Sequence, residues 1–221
     1  MWSMLLLCLQ IPVSQSPPPL GKASQVKTLT FVNDQNYKGC VDTELWALSP
    51  NKVMESFDTV TADANNDGGE SQILMRFDGI IGKGPMQIPP GSRIKNATLI
   101  VTAFDPGNTV DMHRMLIPWP KAATWNNMVS GVSADGLEAS RHKESFTFGK
   151  ISANKQAVRF EATDSVQAWV NGRPNYGWAF LNNGGNGWDF YSCEYIEKES
   201  RPALVVEFLP PDANQLSSDT R

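Results

Sequence analysis

Oxygen-bearing side chains are set most densely at Asp63-Ala64-Asn65-Asn66-Asp67-Gly68. Alternating oxygen ligands ahead of a glycine are how a short loop wraps Ca²⁺. Asp63, Asn65 and Asp67, with Glu70 or Asp58 completing the shell, are the residues a structural calcium ion would use. The place where an EF-hand carries its bidentate glutamate is Leu74, so that motif is excluded. The same run also suits an ordinary Asx-rich turn, and both readings stand. Catalytic constellations are missing from the sequence. His113 and His142 have no zinc spacing, there is no Gly-x-Ser-x-Gly elbow or phosphate loop, and spacing singles out no pair among the 23 acids. The chain is therefore expected not to be an enzyme. A hydrolase whose residues converge only in the fold is the weakest of the readings.

The elements that would position such residues are short strands. Runs of β-forming residues recur between Gly, Pro, Asn and Asp breaks at residues 28–32, 40–48, 71–77, 96–104, 109–116, 145–148, 157–161, 176–181, 188–193 and 203–209. Ile73, Met75 and Phe77 share one face. Leu99, Val101 and Ala103 alternate against Ile100, Thr102 and Phe104. One segment has helical spacing, with Val166, Trp169 and Val170 on a common face. Asp164 and Gln167 are placed as a capping box and Gly172 as the terminator. The fold expected from this pattern is an all-β sandwich or barrel with one short helix, a single domain over residues 27–209.

Before it, residues 4–9 are an apolar run too short to cross a bilayer, and residues 1–24 read as a signal peptide that lacks the usual basic start. Residues 210–221 are polar and read as a disordered tail. A net charge of -4 without any basic run excludes a nucleic-acid-binding stripe and electrostatic docking on an anionic membrane, and no membrane insertion is expected.

Several pieces, taken in order, carry a resemblance. They are Phe31 with Tyr37-Lys38-Gly39, Val41-Asp42-Thr43, Gln72 through Asp78, Gln87-Ile88-Pro89-Pro90-Gly91, Ile94 through Leu99, and His113-Arg114-Met115. They continue with Thr124-Trp125-Asn126, Ala168-Trp169-Val170-Asn171-Gly172, Asn175 through Phe180, Ser192-Cys193-Glu194 and Arg201-Pro202-Ala203-Leu204. Across residues 31–209 the chain resembles the DNRLRE-type domain, grouped with carbohydrate-binding module family 96. The resemblance implies a jelly-roll-like β-sandwich and a secreted or cell-surface accessory module. Its expected partner is a polysaccharide, acidic and alginate-like in some related modules, but here no enzyme domain is attached. The alternative is a structural module of a surface or matrix assembly, with protein partners and no sugar site.

Sugars are held by aromatic stacking and flanking polar groups. Trp188 follows a loop of Asn and Gly that has little to bury and precedes Tyr191. Trp46 has an ambiguous face, and Trp119 sits between Pro118 and Pro120. These four are the platform candidates, while Trp125, Trp169 and Trp178 belong to apolar runs and are assigned to the core. Arg173, Lys121 and Arg141 could meet the charge of an acidic ligand. The family usually has small hydroxyl residues where Cys40 and Cys193 fall. A jelly roll commonly pairs its early and late strands, so a Cys40–Cys193 disulfide is expected, with two separate buried thiols as the alternative.

Overall fold

A computed structural model describes residues 25–105, 107, 109–147, 155–184 and 186–211. The segment read as a signal peptide and nearly all of the tail lie outside the described residues. The strands are β1 (Lys27–Val32), β2 (Cys40–Trp46), β3 (Thr59–Asn66), β4 (Gly69–Phe77), β5 (Arg93–Asp105), β6 (Val110–Met115), β7 (Ala139–Thr147), β8 (Gln156–Glu161), β9 (Trp178–Asn182), β10 (Trp188–Tyr191) and β11 (Ala203–Leu209). One short helix, α1 (Thr163–Val170), lies between β8 and β9. The strands form one strongly curled, half-barrel sheet in the order β1-β11-β5-β10-β3-β4-β9-β6-β7, with β2 paired to β4 and β8 to β5. Every strand pairing is antiparallel.

β3 makes the curl, and it is the strand that the sequence pattern leaves out. Thr59–Ala62 pair with β10, and Asp63 and Asn66 then pair with β4, with an irregularity between these two pairs. The expected calcium loop is thus the end of a β-hairpin. Asp67 (φ 55°) and Gly68 (φ 97°) are its two central residues, flanked by the Asn66–Gly69 pair. Two successive positive φ values make the type I′ turn that joins tightly twisted strands, and Asp-Gly is among the sequences that accept it.

Period-2 alternation sorts the side chains. Leu99, Val101 and Ala103 point into the curl with Ile73, Met75, Phe77, Trp178, Phe180 and Phe208, while Ile100, Thr102 and Phe104 face outward. The half of the sheet carrying β2, β4, β6 and β9 is also covered on its other face. There Val41, Leu45, Leu74, Met115 and Ala179 pack under Trp119, Ala123, Met128 and Val132 of the β6–β7 connection. Buried Gln72 fastens that connection: its Nε2 donates to the Val132 carbonyl at 3.0 Å, and Val132 N donates to its Oε1 at 2.7 Å.

Helix α1 begins differently from its expected capping box. Ala162 occupies the N-cap, and no side chain of the helix caps it. Instead Glu144 of β7 reaches across. Its Oε1 accepts the Ser165 N–H at 2.7 Å, and its Oε2 accepts the Ser165 hydroxyl and Trp178 Nε1. A carboxylate at a helix N-terminus is favoured by the free N–H groups there. Gln167 bonds sideways to Ile94 N and the Ser92 carbonyl rather than back to the cap. Gly172 does terminate the helix in the left-handed region, at φ 95°.

Candidate functional site

Cys40 and Cys193 are joined by a disulfide, with Cα atoms 5.9 Å apart and a sequence separation of 153. It lies at a seam where β2, paired only to β4, faces β3 and the segment after β10. β2 has no backbone ladder on that side, and two buried carboxyl groups take its place as acceptors. Asp42 Oδ2 accepts the Cys193 N–H at 2.7 Å. Glu44 Oε2 accepts the Thr61 N–H at 3.0 Å, and its Oε1 accepts the Ser71 hydroxyl at 2.9 Å. Asn33 completes the seam, donating to the Cys40 carbonyl and accepting its N–H, both at 2.9 Å.

The seam is electrostatically unusual because acids gather in it. Burial drives the Asp42 carboxyl well above the ordinary carboxylate range, and the neighbouring Glu194 carboxylate pushes it further. Burial raises the Glu194 carboxyl as well, and the Lys121 ammonium lowers it. Glu44 and Asp189 are likewise raised, mainly by burial. Nearby Asp189 adds to Glu44, and Asp105 and Asp63 add to Asp189. Glu144, at the start of α1, is raised by burial too.

A carboxyl whose folded-state value is raised contributes stability that is complete below the ordinary value near 3.8 and is lost as pH climbs through the folded value. Half-buried Asp34 works in the opposite sense, since its bond to Lys198 holds it at about 2. The raised groups are the buried ones, so the melting temperature is expected to fall as pH climbs above the ordinary carboxylate range. Asp42→Asn keeps the acceptor for Cys193 N and supplies a donor to Glu194 without a titrating proton. Its melting temperature should fall less steeply over the same range. Calorimetric scans of both proteins at matched ionic strength check this, and parallel slopes would remove Asp42 from the explanation.

The residues expected to bind calcium are not gathered. Asp63 Oδ1 accepts the Asn65 N–H at 2.8 Å in an Asx turn, and Glu70 Oε1 accepts Gln72 Nε2 at 2.7 Å. Among the described residues, the His, Cys, Asp and Glu ligand atoms that converge are those of Cys40, Asp42 and Cys193, which is the disulfide and not a calcium site.

The proposed platforms separate as well. Trp188 is 1% exposed: β10 turns Trp188 and Phe190 into the core and Asp189 and Tyr191 outward, so Trp188 offers no face to a ligand. Gly187 before it has no room for a side chain, because a Cβ there would stand 2.3 Å from the Asp63 Cβ. Trp119 is 5% exposed, donates its Nε1 proton to the Tyr176 carbonyl at 2.7 Å, and carries the Arg76 guanidinium 4.1 Å from its ring centroid. Its stacking partner is already an arginine. Trp46, half-buried at the end of β2, has Lys52 Nζ 6.0 Å from its ring, and the same ammonium lies 4.8 Å from Phe57. Arg173 is exposed in the turn after α1. Lys121 makes an ion pair with Glu194 at 3.9 Å, and Arg141 bonds the Asp135 carbonyl.

Tyr191 is the candidate that stands in a usable group, together with residues that the sequence pattern does not mark. It lies between Phe104 (centroids 4.6 Å apart) and Tyr195, which stacks on it at 3.9 Å and ends the row. Lys155 Nζ sits 5.0 Å from the Tyr191 ring and 5.2 Å from the Tyr195 ring, and is held there by Glu197. All three rings are half-buried, each with part of its surface in water. The available signal was the outward phase of Phe104 and Tyr191 in their strands. The arrival of Lys155 beside them depends on the fold.

No protein-family model matches the chain, and no curated protein matches it.

Proposed function

We propose that this chain is a secreted, non-catalytic binding module for extracellular or cell-wall polysaccharide, of the family-96 carbohydrate-binding kind with a jelly-roll-like sandwich. The observation that carries the reading is the row Phe104–Tyr191–Tyr195 with the Lys155 ammonium against it. Partly exposed rings offer surface to the apolar face of a sugar, and an adjacent cation suits a uronate or sulfated unit. The disulfide fits an oxidising compartment. Screening against neutral, uronate-containing and sulfated glycans should give binding to acidic members. Tyr191→Ala with Tyr195→Ala should then weaken it about tenfold or more, the effect of removing aromatic anchors. Lys155→Ala should weaken acidic ligands selectively and lower the salt dependence. No binding to any glycan, or binding indifferent to these changes, would defeat the proposal.

One observation favours the alternative, a structural module of a surface assembly. Leu48, Val53 and Phe57, all in the β2–β3 connection, are exposed apolar side chains. Self-association or matrix binding lost on Phe57→Ser, with no glycan binding, would support it.

A further inference from the structure

The cation beside the aromatic row already has an anion. Lys155 Nζ donates to a Glu197 carboxylate oxygen and, at 3.3 Å, to the Tyr195 hydroxyl, with the Tyr191 and Tyr195 rings 5.0 Å and 5.2 Å away. An ammonium has three donors, so two of them are committed within the chain. We infer, resting on the glycan reading of this row, that Glu197 is a built-in competitor for the anion an acidic ligand brings. Its carboxylate holds the position on Lys155 that a uronate or sulfate group would take, and the ligand must displace it.

The pair is loose and the backbone beneath it is fixed. The Lys155 and Glu197 side chains are 42% and 53% exposed, so water solvates both charges when they part, and an ion pair of this kind is weakly held. The β10–β11 connection that carries Tyr195 and Glu197 is pinned at several points. Arg201 Nε donates to the Tyr195 carbonyl at 2.6 Å and its Nη1 to the Asn33 carbonyl at 2.8 Å. Ser200 N donates to the Glu197 carbonyl at 3.0 Å, and Lys198 pairs with Asp34 at 2.8 Å. A ligand therefore exchanges one side-chain contact without remodelling the platform. A neutral sugar gains stacking from the rings and leaves the ion pair intact. A bare anion must outcompete a carboxylate tethered beside the ammonium at high effective concentration. A ligand that stacks a ring and presents an anion in the same unit has both contributions, and is the class the site admits best.

The test titrates the full chain with two probes and follows the tyrosine-ring NMR shifts. Phenyl sulfate joins an aromatic ring to an anion and contains no sugar, and a uronate hexasaccharide supplies the glycan. Glu197→Gln should bind both about two- to fivefold more tightly than the parent, the size expected for freeing one exposed ion pair. In a Lys155→Gln background the same change should give no gain, because Glu197 acts through that ammonium. Phenyl β-glucoside, with the ring and without the charge, should show no gain either. Equal phenyl sulfate affinity in the parent and Glu197→Gln, binding by neither, or a gain that persists without Lys155 overturns the proposal. A phenyl sulfate gain with no hexasaccharide binding by any variant keeps Glu197 as the competitor and removes the glycan reading. Hexasaccharide binding that Glu197→Gln leaves unchanged keeps the glycan reading and overturns the competitor.

Discussion

Changing both Cys40 and Cys193 to alanine should lower the unfolding free energy by about 5 kcal/mol, the chain-entropy cost of releasing a loop of this length. The bridge spans 153 residues and so restrains most of the described chain in its unfolded state. The effect is as large as the whole stability of a weak domain, about 5–15 kcal/mol, so the variant should be substantially unfolded near 37 °C if the parent lies at the low end. Urea titrations of both proteins give the difference directly. A loss below about 1 kcal/mol would mean that Asn33, Asp42 and Glu44 hold the seam without the bridge. Two alkylatable thiols in the denatured, unreduced parent would show that the bond does not form.

Trp188→Ala should be strongly destabilising. The side chain is 1% exposed, packs edge-on to Phe190 at 6.0 Å, and closes against Gly107. Removing a buried indole leaves a cavity and costs about 3–5 kcal/mol. For a domain of this size that is a fall of roughly 6–20 °C in melting temperature. Trp188→Phe should lose much less, because it fills most of the space and removes an indole N–H that has no hydrogen-bond partner. A Trp188→Ala variant that melts with the parent would contradict its place in the core. Lost glycan binding in this variant would report unfolding, so binding tests belong on Tyr191 and Tyr195.

The strands were legible wherever apolar residues alternate. β5 and β4 show this best, since Leu99-Val101-Ala103 and Ile73-Met75-Phe77 each occupy the core face expected of them. β3 was not legible because its second half, Asp63 to Asn66, is polar and contributes no core side chain. Val60 and Ala62 are buried there, and the strand exists because β10 and β4 pair with it from distant parts of the sequence. Trp188 was misread for a related reason. The Asn-Gly loop before it suggested exposure, whereas the alternation of Trp188 and Phe190 against Asp189 and Tyr191 was the stronger signal. The disulfide could be anticipated from an early and a late cysteine. The acids packed around it could not, because Asp42 meets Glu194 and Glu44 meets Asp189 across long sequence separations.

The edge strand β1 and its neighbour β11 give the molecule a mechanical character. β1 and β11 run antiparallel, with Lys27 opposite Phe208, so the polypeptide enters and leaves at neighbouring points on one rim. Tension applied through both ends would open this pair like a zipper, breaking one rung at a time from Lys27 and Phe208, rather than shearing all the rungs together. The peeling would stop at the covalent clip between Cys40 and Cys193. Residues 27–39 could be drawn out as slack, and residues 194–209 once β11 is also stripped from β5, while everything between the cysteines would be shielded from the load.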